Sequence, residues 1–202
     1  MDLAQAQGIA DGLIEALAPA CEWIGVAGSI RRRKPNPKDV EIVYVPRLET
    51  RQVDLFGTTE QVPLTDRVVA WLVKAEILAW DEEIKRRGPR YKRLIHVETG
   101  AVVELFAARA DNLGLILALR TGPGEFNHIL VTARRYGGAM PAGMRMRDGF
   151  LWRGGRRLET PTEEEFFAAL DLPCWPPEER TADRLLGWLR SQRRHRRGGE
   201  TR

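Results

Sequence analysis

Three acidic residues and a Gly-Ser pair are the residues of this chain whose types and spacing could do chemistry. Asp39 and Glu41 flank Val40 at the start of an apolar run, and in a strand such side chains point to the same face. Two carboxylates that close repel each other and stay ionised most readily when a cation lies between them. Magnesium favours carboxylate and phosphate oxygens, so the pair predicts a magnesium site. The alternative is a solvent-facing pair, which is the commoner meaning of an isolated D-x-E.

The Gly28-Ser29 pair, ten residues before the acidic pair, adds a phosphate-binding signal. It offers free backbone N–H groups and a hydroxyl. Arg31 and Arg32 follow directly, and their guanidinium groups suit phosphates. Together with the acidic pair, these residues predict a site for a metal-bound triphosphate.

Glu104 lies in the run Val102–Phe106, which is otherwise apolar. A buried, unpaired carboxylate costs on the order of several kcal/mol, so it needs a metal ion or another cation nearby. We therefore predict that Glu104 joins Asp39 and Glu41. Two alternatives remain: Glu104 lies on the exposed face of an edge strand, or it pairs with an arginine.

The elements that must position these residues follow an α+β pattern. Apolar spacing predicts helices over residues 4–17, 65–75, 113–119, 126–136 and 181–197, with Thr65 as an N-cap and a capping box at Thr162. Strands are predicted over residues 23–27, 40–45, 77–80, 94–97 and 101–107, and a later hairpin over 144–146 and 150–152. Residues 47–61 form a polar excursion between elements. A boundary near residues 108–111 separates domains 1–109 and 110–202.

Charge and composition indicate a globular protein with a polyanionic partner. The chain is 43% hydrophobic with a net charge of +4, and its basic residues cluster at residues 31–34, 85–93 and 190–197. Such clusters suit nucleic acid, although solvated faces and a basic tail are the alternative. The two cysteines match no zinc or redox spacing. No apolar run approaches the roughly 20 residues of a membrane span, and the start does not read as a signal peptide. We expect a cytoplasmic protein without a membrane partner.

Two sequence motifs resemble the family X (DNA polymerase beta-like) nucleotidyltransferases. The segment 28–32 (GSIRR), followed by 39–41 (DVE), looks like the G-S-x-R-R…D-x-D/E motif of that superfamily. The segment 88–93 (GPRYKR), followed by 103–106 (VELF), resembles the palm hairpin that carries the third carboxylate. Many nucleotidyltransferases share the first motif.

A third motif favours the polymerase branch. The segment 120–127 (RTGPGEFN) is similar to the family's T-G-x-x-x-F-N segment of the nucleotide-binding subdomain, and 162–178 resembles the family's C-terminal end. The resemblance covers most of residues 23–179. It implies a nucleotidyltransferase palm, a mixed β-sheet with helices on one face, over 1–109. A small helical and hairpin thumb with a basic tail would follow over 110–202.

The resemblance also implies a mechanism and its residues. A primer 3′-hydroxyl would attack the α-phosphate of an incoming (d)NTP and release pyrophosphate, with two magnesium ions, or manganese, as cofactor. The catalytic and metal-binding residues would be Asp39, Glu41 and Glu104. Substrate contacts would come from Gly28, Ser29, Arg32, Thr121, Gly122 and Asn127, with Asn127 on the incoming base. DNA, gapped or as primer–template, would be held by Arg87, Arg90, Lys92, Arg93 and Arg134.

Several features depart from the family pattern. Glutamate replaces aspartate at two of the three metal positions, which can change metal preference. The aromatic pair that screens the sugar 2′ position is replaced by Leu119-Arg120, so we expect ribonucleotide incorporation. A dNTP-over-rNTP selectivity above about a thousand would argue against it. The family's Thr-Gly turn contains a cis peptide, and we predict a cis Gly122–Pro123 bond.

Three functional hypotheses follow. The first is a monomeric repair or gap-filling DNA polymerase, acting alone or with other repair proteins. The second is a template-independent nucleotidyltransferase acting on RNA ends or a small molecule. The third is a catalytically inactive nucleic-acid-binding module. The T-G…F-N segment and the basic clusters favour the first.

Overall fold

The computed structural model of the chain describes residues 1–54 and 57–199, with side chains up to residue 192 in the last helix. The chain divides into two units, Met1–Ala110 and Asp111–Arg202. Each unit has its own hydrophobic core. Helices and a mixed sheet confirm the predicted α+β class.

The first unit is built on a five-stranded sheet. Its helices are α1 (Leu3–Leu17), α2 (Gly28–Arg31) and α3 (Leu64–Lys74). Its strands are β1 (Cys21–Val26), β2 (Asp39–Pro46), β3 (Leu48–Gln52), β4 (Thr59–Pro63), β5 (Leu78–Trp80), β6 (Tyr91–His96) and β7 (Val102–Ala107). The sheet order is β1-β2-β7-β6-β5, and β3 and β4 form a separate hairpin. Only the β2–β7 pair is parallel among the pairings of the five strands.

Alternation along the central strands decides which face of the sheet is apolar. Val40, Ile42 and Tyr44 of β2 are at most 1% exposed and pack with α1 and α3 in the first core. Helix α1 begins where the Asp2 side chain accepts a hydrogen bond from the Gln5 N–H at 2.8 Å, a standard N-cap. Because side chains alternate, the intervening residues of β2 project from the opposite face, away from these helices.

The second unit combines four α-helices with a small sheet. Its helices are α4 (Leu113–Thr121), α5 (Gly124–Val131), α6 (Glu163–Ala169) and α7 (Ala182–Gly199), and its strands are β8 (Met144–Arg147), β9 (Phe150–Arg153) and β10 (Arg156–Leu158). The strand order is β10-β9-β8. Aromatic side chains dominate the core: Phe126 and Trp175 meet edge to face with ring centroids 6.3 Å apart. The predicted capping box is confirmed, because Thr162 and Glu165 exchange hydrogen bonds at the start of α6.

Four local expectations are wrong in detail. The polar stretch 47–61 contains most of the β3–β4 hairpin, and β10 adds a third strand to the predicted later hairpin. Thr65 is not an N-cap: it lies inside α3 and is fully buried, and Pro63 takes that position. Helix α5 ends at Val131 because the next residue is extended, and only a 3₁₀ turn at Arg134–Tyr136 follows.

The remaining features concern the membrane and the C-terminus. Within the described residues, no helix combines the length and apolar character needed to cross a membrane. The predicted basic tail falls largely within α7, but its side chains from residue 193 onward lie outside the description.

Candidate active site

The strand register of the first unit brings the three predicted carboxylates to one face of the sheet. In the parallel pairing of β2 with β7, Glu41 is the register partner of Glu104 and Asp39 is the partner of Val102. Register partners project to the same side, as do residues two apart in a strand. Asp39, Glu41 and Glu104 therefore share the face opposite α1 and α3.

Glu104 is held by two neighbours on β6. Its Oε1 accepts hydrogen bonds from the Tyr91 hydroxyl and from Arg93 Nη1, each at 2.6 Å. Arg93 also donates from Nε to Asp81 Oδ2 at 2.7 Å. The hydrogen bond that Arg93 donates to Asp81 is the main cause that raises the pKa of Arg93, and the bond to Glu104 adds to it. Burial, and then the bond to Glu104, raise the pKa of Tyr91.

Glu41 lies against the backbone of Gly28. Gly28 has φ +58°, a conformation that favours glycine, and a Cβ there would fall 1.6 Å from Glu41 Oε2. The Glu41 carbonyl also accepts a hydrogen bond from the Ala27 N–H at 2.8 Å. The predicted Gly-Ser pair thus lies directly beside the second carboxylate, and only glycine leaves room for it.

Ser29 and Arg32 complete this end of the site. The Ser29 Oγ is buried and has no hydrogen-bond partner among the described residues. Burial is the first cause that lowers the pKa of Arg32, while the charges of Glu41 and Asp39 act in the opposite direction. Arg32 is therefore close enough to interact electrostatically with both carboxylates.

The electrostatics of Asp39 reflect its crowded acidic surroundings. Its pKa is raised above the ordinary value, first by burial and then by the negative charge of Glu104. Arg93 and Arg32 oppose this shift. Three carboxylates thus face two nearby guanidinium groups on this side of the sheet.

The fit of this site to divalent cations is partial. Carboxylate oxygens are the donors that magnesium prefers, and the common face suits shared ligation. However, among the side chains that the structure describes, residues 1–54 and 57–192, no three His, Cys, Asp or Glu are arranged to hold a metal ion. Glu104 Oε1 is one cause of this, because it already accepts hydrogen bonds from Tyr91 and Arg93. The three carboxylates suit a magnesium ion by residue type and by register. To bind the ion, Glu104 would have to give up its hydrogen bond with Arg93.

The predicted base-contacting segment lies in the second unit, where α4 turns into α5. Thr121 ends α4 and is fully buried. Asn127 Nδ2 donates to the carbonyls of Leu119 and Gly122 at 2.6 and 2.9 Å, so Asn127 stabilises this turn. A Cβ at Gly122 would lie 2.3 Å from Asn127 Oδ1, so a side chain there would displace the Asn127 amide.

The predicted cis Gly122–Pro123 bond is wrong. The described part of the chain contains no cis peptide bond. An X-Pro bond still favours trans by about 0.5–1 kcal/mol, and the side chain of Asn127 already closes the turn around the trans form.

The predicted nucleic-acid-binding residues have different surroundings. Arg87 is exposed, pairs with Glu82 and lies 5.0 Å from the centroid of the Trp80 ring. Arg90 is also exposed, at the end of the same loop. In the second unit, Arg134 donates to the Leu170 carbonyl at 2.6 Å and pairs with Asp171 at 3.0 Å. Arg87 and Arg90 are therefore accessible, whereas Arg134 ties a 3₁₀ turn to the end of α6.

Lys92 and Arg93, the other two residues predicted to bind nucleic acid, lie in β6 and not in the exposed loop. Lys92 is 5% exposed and pairs with Asp66 of α3 at 2.8 Å. Because neighbouring residues of β6 project to opposite faces, Lys92 points to the helices while Arg93 points to the acidic face. Lys92 is therefore poorly placed to meet nucleic acid.

Sequence reasoning missed the roles of Tyr91 and Asp81. Tyr91 and Arg93 are two apart on β6, a spacing that places both on one strand face, and this was a usable signal. Asp81 follows directly after β5, and no pattern in the sequence points to its partner on β6.

Comparison with known protein families gives a match in the second unit. Residues 116–181, which lie within the second unit, match the family described as DNA polymerase beta thumb. This match makes part of the second unit similar to the thumb of DNA polymerase beta, and it supports a relationship to the family X polymerases. The α+β first unit followed by a polymerase beta thumb matches the predicted palm-plus-thumb class. No curated protein matches the chain.

Proposed function

We propose that the chain is a DNA polymerase of the family X type that fills gaps or extends a primer on a template. One observation carries the proposal: three carboxylates share a face of β2 and β7 in a chain that also contains a polymerase beta thumb match. In the proposed reaction, the primer 3′-hydroxyl oxygen bonds to the α-phosphorus of an incoming nucleotide. The bond from that phosphorus to the pyrophosphate oxygen breaks.

The chain's own residues would bind the triphosphate beside Gly28. Within the described part of the chain, the buried Ser29 hydroxyl lacks a hydrogen-bond partner and could donate to a phosphate oxygen. Arg32 would add positive charge, since its guanidinium lies close to both Asp39 and Glu41. Gly28 would keep the backbone close to Glu41.

Asp39, Glu41 and Glu104 would hold two magnesium ions, or manganese. When bound, such ions lower the pKa of the attacking hydroxyl and offset negative charge on the phosphates. For Glu104 to take part, Arg93 would release Oε1 while its Nε keeps the bond to Asp81, 2.7 Å away. Tyr91 would continue to orient the Glu104 carboxylate through its hydroxyl.

The DNA partner follows from the thumb match and the basic loop. Arg87 and Arg90 are exposed on the loop before β6 and could neutralise phosphates of gapped or primer–template DNA. Nucleoside triphosphates would be the second substrate.

A second candidate is a catalytically inactive nucleic-acid-binding protein. The observation that favours it is the ion pair between Glu104 and Arg93 at 2.6 Å, which uses the third carboxylate internally. In that case the basic residues would bind DNA, and the acidic face would be structural.

Primer extension separates these functions. The full chain is incubated with gapped, recessed and blunt DNA and with dNTP or rNTP, in magnesium or manganese. A polymerase extends the gapped and recessed primers with the templated nucleotide. Replacing Glu41 by Gln should lower the rate at least about a hundredfold. The same change at Glu60, an exposed residue of β4, is the matched control and should leave the rate unchanged.

Other outcomes would reject the polymerase. Extension of blunt or single-stranded ends regardless of template indicates a template-independent nucleotidyltransferase. DNA binding without extension in either metal indicates the inactive binding protein.

A further inference from the structure

The outer face of the β8–β10 sheet carries arginine and aromatic side chains in one row. Trp152 of β9 is the register partner of Arg145 on β8 and of Arg157 on β10. Partners in antiparallel strands project to the same face, so the indole lies between two guanidinium groups. Phe150 and its partner Arg147 extend the row toward the turn. The Arg157 guanidinium lies 4.6 Å from the centroid of the Phe150 ring.

The opposite face of this sheet is the one that packs into the core. Leu151 is fully buried, and Met144 is 8% exposed, both within the second hydrophobic cluster. Alternation therefore leaves the Arg–aromatic face outermost. Arg145, Arg147 and Arg157 are exposed, and the two aromatic rings are half-buried.

The sheet holds this row in a fixed arrangement. Both connections are two-residue turns, Asp148-Gly149 and Gly154-Gly155, with positive φ at all four residues. The Gly149 carbonyl accepts a hydrogen bond from Asn112 Nδ2 at 2.9 Å, which anchors the first turn at the start of α4. Trp152 Nε1 donates to the Arg147 carbonyl at 3.2 Å, so the indole plane is oriented. A rigid aromatic surface loses little entropy when a ligand stacks on it.

We propose that this surface, the Trp152 row (Arg145, Arg147, Phe150, Trp152 and Arg157), binds single-stranded nucleic acid. Aromatic rings stack on unpaired bases of any sequence, and arginines beside them meet the phosphates. A blunt duplex offers only its phosphates, because its base faces are already stacked.

The charge of the row is available to phosphates. Arg147 pairs with Asp148 at 3.1 Å and Arg157 pairs with Asp111 at 2.9 Å. The Arg147–Asp148 pair is exposed on both sides, and exposed ion pairs contribute little, so a phosphate can compete for the Arg147 guanidinium.

This inference deepens the proposed function and rests on it for the choice of DNA, because the unpaired template in a gap is a single strand. Binding to the row does not require catalysis. The proposed binding surface and the proposed polymerase activity can therefore be tested separately, by measuring binding with EDTA and without nucleotides.

The test is fluorescence anisotropy of the full chain with a labelled single-stranded DNA. Trp152→Leu keeps an apolar side chain but removes the ring, and it should weaken binding about tenfold, whereas Trp152→Phe should bind nearly as tightly as the parent. Arg145→Gln should reduce the slope of log K against log salt by about 0.7. Trp71→Leu and Arg67→Gln change exposed residues of α3 in the first unit and are the matched controls.

Further arms identify the ligand. Repeating the titration with single-stranded RNA of the same sequence shows whether the surface prefers DNA or RNA. Weaker binding of Trp152→Leu to either nucleic acid supports the proposed role of the Trp152 row. The proposal is overturned if Trp152→Leu binds both strands like Trp71→Leu, or if blunt duplex binding falls by the same factor as single-strand binding. A chain without polymerase activity that still loses affinity through Trp152→Leu would refute only the proposed function.

Discussion

Arg93 shares its guanidinium between Asp81 and Glu104, at 2.7 and 2.6 Å. Both its own side chain and that of Glu104 are less than 20% exposed, so solvent screens this pair weakly. A cation that binds Glu104 must compete with a charge already in place. Arg93 therefore positions the Glu104 carboxylate and also opposes metal binding to it.

Replacing Arg93 by Gln should strengthen manganese binding by about tenfold. The substitution removes the competing charge and leaves a largely buried carboxylate that favours another cation. Electron paramagnetic resonance of free Mn²⁺, titrated with protein in the absence of DNA and nucleotide, measures the affinity directly. Arg87→Gln, an exposed arginine paired with Glu82, is the control and should not change it. An unchanged affinity in Arg93→Gln would show that Glu104 does not bind the ion.

At the scale of elements, α4 meets the start of α6 backbone to backbone at Gly114. A Cβ at Gly114 would lie 1.9 Å from the Thr162 carbonyl oxygen and 2.6 Å from the Glu163 nitrogen. Both atoms belong to the backbone of the capping box, and Gly114 N–H donates to the Thr160 carbonyl at 2.9 Å. The neighbouring backbone cannot move away without breaking the cap.

Gly114→Ala should therefore destabilise the second unit by about 2 kcal/mol or more, despite the higher helix propensity of alanine. Gly124→Ala, at the first position of α5, meets nothing within 4 Å and should be neutral or stabilise by up to about 1 kcal/mol. Urea unfolding followed by circular dichroism gives both free energies of unfolding. Equal effects of the two substitutions would contradict close backbone packing at Gly114.

The sequence predicts elements best where one periodicity dominates. The boundaries predicted for α1 and β2 from their apolar residues, and for α6 from its capping box, agree with the structure within one or two residues. The β3 and β4 strands carry polar residues on both faces, so no alternation marks them, and they pair only with each other.

The site itself was predictable in part. The D-x-E spacing and the odd acidic residue in an apolar strand follow from local sequence, but the parallel pairing of Glu41 with Glu104 joins strands more than 60 residues apart. The opposite directions of Lys92 and Arg93 depend on which face of β6 packs against α3. A run of basic residues does not reveal that face, and the ion pairs with Asp66 and Asp81 are equally non-local.

At the scale of the whole molecule, the two units have separate cores. The first core uses residues 6–105 and the second uses residues 115–189, and no buried residue belongs to both. The polymerase beta thumb match, residues 116–181, lies entirely within the second unit. Domains with their own core can in principle fold alone.

Residues 111–202 expressed alone should therefore fold, with a cooperative thermal transition and a near-ultraviolet circular dichroism signal from Trp175 and its aromatic neighbours. The aromatic cluster and the buried ion pair of Arg180 with Glu163, at 2.5 Å, lie within this fragment, so its core is complete. Gly114→Ala introduced into the fragment should lower its melting temperature, which links the measured transition to the α4–α6 packing. A fragment with a gradual, non-cooperative transition and no near-ultraviolet signal would show instead that this core requires residues 1–110.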